Sequence, residues 1–174
     1  MQRYKRKKLV LVCILFSIIK LTFAEKLNNL IEFFSFSCSH CVSAEPILMQ
    51  VLAKTHAKYI PVVYIQGEDQ AGTALVYYAC IKKGIGWQFR KAYFEAVISG
   101  MPAYTPETLV AVLKQITSNP SEILKYATTP EIQEKLVLDR KLIEKFHVAV
   151  TPTWVINMQY TLDGETALLP FLKE

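Results

Sequence analysis

Apolar and polar positions fall into distinct periods along the chain. Residues 30–36 (Leu-Ile-Glu-Phe-Phe-Ser-Phe) form a short, nearly continuous apolar and aromatic run, the pattern of a buried strand. Beyond residue 41 the period lengthens, and Val42, Glu45, Leu48, Met49 and Leu52 follow helical spacing toward Lys54. Residues 59–65 (Tyr-Ile-Pro-Val-Val-Tyr-Ile) read as a second strand, with Pro61 tolerated near its start. Strand, helix and strand over about thirty-five residues make a βαβ unit, expected to be right-handed.

A helical stretch follows. Residues 71–83 end at Gly84 and residues 87–99 end at Gly100, each with a glycine where a helix should stop. Thr105-Pro106-Glu107 supplies a cap, a proline at the first helical position and an early acid ahead of residues 109–116. Asn119-Pro120-Ser121-Glu122 starts a short helix, and Thr129-Pro130-Glu131 a longer one reaching Phe146. Strand patterning returns at residues 153–156 and 160–162, Asp163-Gly164 is a turn, and residues 167–172 suggest a short final helix. The order predicts one α/β domain over residues 25–174, interrupted by a helical insertion at about 70–146.

The charge is lopsided. The 174 residues carry 20 Lys and Arg against 15 Asp and Glu, yet six of the cations (Arg3, Lys5, Arg6, Lys7, Lys8 and Lys20) lie within residues 1–24, which hold no acid. The remaining 14 cations face 15 acids, so no basic surface is left to argue for nucleic acid. Residues 1–24 read instead as an export signal: a cationic start, eleven residues at 9–19 with Ser17 the one polar side chain, and Ala24 before the cleavage point. Eleven residues rise only about 16 Å as a helix, against a hydrocarbon core of ~30 Å, which favours a cleaved signal over a retained anchor. Cys13 is filler in that run.

Export permits disulfides and gives weight to Cys38, Cys41 and Cys80. Cys38-Ser39-His40-Cys41 stands at a strand-to-helix junction. Residues three apart on a helix have Cα atoms ~5 Å apart, within the window for a disulfide. At a helix N-terminus, unpaired N–H groups and the macrodipole favour an anion, so a Cys38 thiolate is stabilised and becomes nucleophilic. Cys41, one turn in, is shielded and suits the resolving role. His40 can offer that sulfur a hydrogen bond or positive charge. Two other readings of the motif stand: half of a zinc site, for which Cys80, His56 and His147 give no second ligand pair, and an inert structural disulfide.

The segment at 31–41 (IEFFSFSCSHC) closely resembles the active-site strand and helix start of DsbA-like thiol–disulfide oxidoreductases of the thioredoxin superfamily. Far downstream, Val150-Thr151-Pro152-Thr153 resembles that superfamily's cis-proline loop. The resemblance implies a thioredoxin-like fold with an inserted helical subdomain and an enzyme that exchanges disulfides with protein thiols, without organic cofactor or metal. It further implies that Cys38 and Cys41 form the redox-active disulfide and that Glu32, beneath them, has a raised pKa and relays protons to Cys41, the alternative being a strand residue whose carboxylate reaches solvent at an edge. Pro152 would be the cis-proline, Thr151 would pair with a substrate strand, and Trp154 would either line the substrate groove or pack. Reduced exported proteins would be the substrates, and a membrane quinone-linked thiol oxidase the reoxidising partner in the periplasm. Ser39 departs from the family's frequent proline, and Thr151 is reminiscent of the isomerase and reductase branches. Pro46 resembles a helix-kinking proline of thioredoxin itself. A reductase or isomerase, and a non-catalytic binding module or chaperone, are the rival expectations. Cys80 is read as a small buried hydrophobe, and Trp87, Phe89, Tyr93 and Phe94 as insertion core.

Overall fold

Strand β1 (Asn29–Phe34) lies at the centre of the fold, with five of its six residues buried. A strand covered on both faces shows no polar face, which accounts for its apolar run, broken only by Glu32. In the computed structural model, which describes residues 26–173, β1 pairs in parallel with β2 (Lys58–Val63) and antiparallel with β3 (Thr153–Ile156). Strand β4 (Tyr160–Asp163) pairs antiparallel with β3, giving the order β2-β1-β3-β4. Helix α1 (Ser39–Thr55) makes the crossover from β1 to β2.

Successive side chains of β1 point to opposite faces. Leu30 packs with Ala44, Leu48 and Val51 of α1 and with Trp154 and Ile156 of β3. Ile31 and Phe33 face the other way, onto Val62, Val148 and Val155. The expected strand end at residue 36 shifts to Phe34, because the Cys38 N–H donates to the Ser35 carbonyl at 3.1 Å and closes a turn.

Between β2 and β3 stand five helices: α2 (Glu68–Lys82), α3 (Gly86–Ile98), α4 (Pro106–Ile116), α5 (Pro120–Ala127) and α6 (Pro130–Lys145). Their ends follow the expected chemistry. The Thr105 and Asn119 side chains accept from the N–H groups of Thr108 and Glu122, each at 3.3 Å. Gly84 and Gly100 adopt left-handed φ angles of 77° and 95° just past α2 and α3.

The block of helices shares its core with the sheet. Phe34 and Phe36 run out of β1 into a cluster with Tyr77, Phe89, Tyr93 and Phe94. Near the C-terminus the suggested helix over 167–172 is a four-residue 3-10 turn, Leu169–Leu172, held by the fully buried Leu168. The export segment lies outside the described residues. Among the described residues no helix is long and apolar enough to cross a membrane.

Candidate active site

The turn after β1 delivers Cys38 to the N-cap position of α1, with extended backbone (φ −91°, ψ 110°). Its sulfur occupies the place of a capping oxygen and accepts from the Cys41 N–H at 3.2 Å. The Cys38 thiol also meets the Thr151 carbonyl at 3.2 Å. Residues 113 positions apart are thereby in contact, and the Thr151–Pro152 bond beside them is cis, as the resemblance implied.

These neighbours set the acidity of the two thiols. The Cys38 thiol is lowered from an ordinary 9.0 to about 6, chiefly because the Cys41 thiol donates a hydrogen bond to its sulfur. Partial burial opposes the shift, while the Thr151 side chain and the backbone N–H groups of Cys41 and His40 reinforce it. The Cys41 thiol moves the opposite way. Its proton is held by the bond to Cys38, and it is fully buried, so its pKa is strongly raised. One accessible thiolate and one protected thiol result, the division of labour that thiol exchange needs.

His40 contributes differently from its expected role. Its side chain is 70% exposed, and Nδ1 lies 3.0 Å from the Glu165 carboxylate rather than on the sulfur. The Glu165 hydrogen bond, then its charge, raise the His40 pKa; the charge of Cys38 adds least. What His40 gives Cys38 by hydrogen bonding is its backbone N–H. Glu165, in the loop after β4, carries no sequence signal that would single it out.

Glu32 is not the isolated acid in an apolar strand that the sequence suggested. It is fully buried, and Arg90 of α3 grips it with both terminal nitrogens, at 2.6 and 2.8 Å. Arg90 also donates to Glu45 of α1 and, at 2.7 Å, to the Tyr59 hydroxyl, which in turn donates to Glu32. Both oxygens of Glu32 are engaged, and its charge contributes to the raised pKa of Cys41. Sequence reasoning missed Arg90 because nothing in residues 86–98 distinguishes an inward arginine from a solvated one.

Trp154 takes the second of its two expected places. It is fully buried, and its indole N–H donates to the Gly164 carbonyl at 2.9 Å, so it packs within the core and lines no groove. Pro152 is buried, with its carbonyl accepting from the Gly164 N–H at 2.9 Å. Cys80 is fully buried, and burial pushes its thiol up to about 12, as suits a small hydrophobe. Phe89, Tyr93 and Phe94 are buried insertion core, whereas Trp87 is 39% exposed and stacks on Tyr59.

No family model matches the chain, and a search of curated protein sequences finds no significant match. Solved structures do match. The chain is similar to DsbA of Pseudomonas aeruginosa with a TM-score of 0.73 and 20% identity, over 86% of this chain and 82% of that one. Against the oxidoreductase DsbA from Xylella fastidiosa the TM-score is 0.71 at 22% identity, covering 87% and 84% of the two chains. The oxidoreductase NmDsbA1 from N. meningitidis gives 0.68 at 20% identity, covering 85% and 82%. The fold is therefore thioredoxin-like with a helical insertion, arranged as in DsbA.

Proposed function

We propose that this protein is a thiol–disulfide oxidoreductase whose redox couple is Cys38 and Cys41, and that it works as a dithiol oxidase on exported proteins. The observation that carries the reading is the Cys38 sulfur at the N-cap of α1, facing Cys41 and the Thr151 loop, with its thiol lowered to about 6. Stabilising that thiolate stabilises the reduced form, which makes the disulfide a stronger oxidant. The DsbA-like fold supports the same direction.

In the oxidising direction a substrate thiolate attacks Cys38 of the Cys38–Cys41 disulfide. The S–S bond breaks, a mixed disulfide forms at Cys38, and Cys41 departs with the electron pair and takes up a proton in its buried site. A second substrate thiolate then attacks the substrate sulfur of the mixed disulfide and releases Cys38 as a thiolate. The substrate has lost two electrons to the protein. Thr151 stands next to the reacting sulfur, its carbonyl 3.2 Å from Cys38 Sγ, where a substrate strand would pair through main-chain groups. Residues 1–24 support delivery across a membrane, and a quinone-linked membrane oxidase would restore the disulfide.

Equilibration of the Cys38/Cys41 couple with glutathione, together with a dithiol-oxidation assay and a Cys38→Ser control, tests the reading. An oxidase has a reduction potential well above that of thioredoxin, about −270 mV. A value near thioredoxin's would overturn the oxidase direction in favour of a reductase. Absence of any activity lost on Cys38→Ser would leave a binding module.

A further inference from the structure

Besides Arg90 on Glu32 and Glu45, the insertion meets the chain around the redox motif at a second place. Tyr104, in the connection between α3 and α4, projects its hydroxyl into the turn that precedes Cys38. That hydroxyl lies 2.6 Å from Ser35 Oγ, accepts from the Ser37 N–H at 3.2 Å, and lies 3.4 Å from Ser37 Oγ. Ser35 Oγ and Ser37 Oγ are themselves 3.1 Å apart, so three hydroxyls close a small ring of hydrogen bonds.

Tyr104 is held to this task from behind. Its backbone N–H donates to the Tyr93 hydroxyl at 3.1 Å, and that hydroxyl lies 3.3 Å from Thr73 Oγ1. The main chain at Tyr104 is left-handed, φ 64°, a conformation that a bulky side chain seldom adopts and that the surroundings must enforce. Tyr93 also packs against Phe36, with ring centroids 4.7 Å apart, in the middle of the same turn.

Ser35 is where the tether meets the sulfurs. Its carbonyl accepts from the Cys38 N–H at 3.1 Å, and its backbone hydrogen-bonds the Cys41 thiol. One residue thus touches both members of the couple through its main chain and Tyr104 through its side chain. We propose that Tyr104 is a positioning residue for thiol–disulfide exchange: its hydroxyl locks the turn at residues 35–37 and so sets the alignment of the Cys38 and Cys41 sulfurs. Through it the helical insertion governs how strongly the couple oxidises. The inference rests on the exchange activity proposed above.

Tyr104→Phe removes one oxygen atom and leaves the ring. Without the tether the turn relaxes, the Cys41 N–H and thiol align less well with Cys38, and the reduced form loses part of its advantage. The glutathione equilibrium constant of Tyr104→Phe is expected to move at least twofold toward the disulfide, with an upward shift in the Cys38 titration midpoint. Ser35→Ala removes the other end of the same contact and is expected to do likewise, and serves alone should Tyr104→Phe fail to fold. The double variant is expected to shift no more than the larger single variant, because one contact is lost in all three. An equilibrium constant within twofold of the parent's, or two single effects that multiply in the double variant, overturns the role. Equal losses of thermal stability in the oxidised and reduced forms, with the equilibrium constant unmoved, mark Tyr104 as structural only. A parent protein that exchanges no disulfide with glutathione defeats the proposed function itself, whereas an active parent with unaltered variants defeats only the assignment of Tyr104.

Discussion

Cys38 and Cys41 are the same side chain three positions apart, and their surroundings drive them in opposite directions. The largest influence on Cys38 is the hydrogen bond that Cys41 donates, and the same bond is the first cause of the raised Cys41 pKa. Removing the donor therefore tests the cause directly. In Cys41→Ala, the thiolate absorbance of Cys38 is expected to titrate well above the midpoint of about 6 in the parent. Thr151→Val, which removes a lesser contribution, is expected to give a smaller upward shift. The sign for stability follows from the same numbers. A thiol whose pKa is depressed on folding stabilises the reduced fold fully above its unfolded value of 9.0, and that contribution is lost as pH falls through about 6. Because the disulfide form has no such proton, the gap between the melting temperatures of the reduced and oxidised forms should shift in favour of the reduced form as pH rises from 6 to 9. A gap independent of pH in that window would remove the thiolate as its source.

Helix α3 ties the insertion to the sheet through a single charged side chain. Arg90 satisfies Glu32 of β1, Glu45 of α1 and the Tyr59 hydroxyl of β2, and its guanidinium lies 4.0 Å above the Phe34 ring. Burial pushes the Glu45 carboxyl up despite the guanidinium beside it. Charges taken out of water are stable only with their partners. Arg90→Met leaves Glu32 buried and uncompensated and is expected to cost about 3–5 kcal/mol in urea unfolding. Adding Glu32→Met should recover much of that loss, since apolar replacement of a whole buried pair is often neutral. If the double variant were as unstable as Arg90→Met, the unpaired carboxylate would not be the cause.

The sheet and the inserted helices unfold together if their shared aromatic cluster governs cooperativity. Phe36 touches Phe34, Tyr77, Phe89, Tyr93 and Phe94, with ring centroids 4.7–5.8 Å away. Phe36→Ala is expected to destabilise the protein by about 3–5 kcal/mol. Cys80 supplies a reporter of the opening: fully buried, with its thiol pushed up to about 12, it should resist alkylation until the cluster separates. Its labelling rate and the loss of far-UV circular dichroism should follow one denaturant transition in a Cys13→Ser, Cys38→Ser, Cys41→Ser background. Labelling well below that transition would show the insertion opening by itself.

Local patterns were sufficient for much of this protein. The apolar run of β1, the caps at Thr105 and Asn119 and the glycines after α2 and α3 act over a few residues, where hydrogen-bond geometry and backbone preference decide the outcome. The position of Cys38 at the start of α1 is legible for the same reason, and so is the direction of its acidity, although the first cause is the Cys41 thiol and the helix N–H groups add less. Contacts between distant positions are a different matter. The pairing of Arg90 with Glu32, the turning of His40 toward Glu165, the burial of Trp154 and the reach of Tyr104 to Ser35 join residues between 58 and 125 positions apart, or depend on which face of a strand the core covers. Hydrophobic period records whether a position faces inward, but not which side chain it meets there. Tertiary packing settled those partners, the insertion against β1 for Arg90 and Tyr104 and the chain around β3 and β4 for Trp154 and His40, and with them the electrostatic surroundings of the two sulfurs.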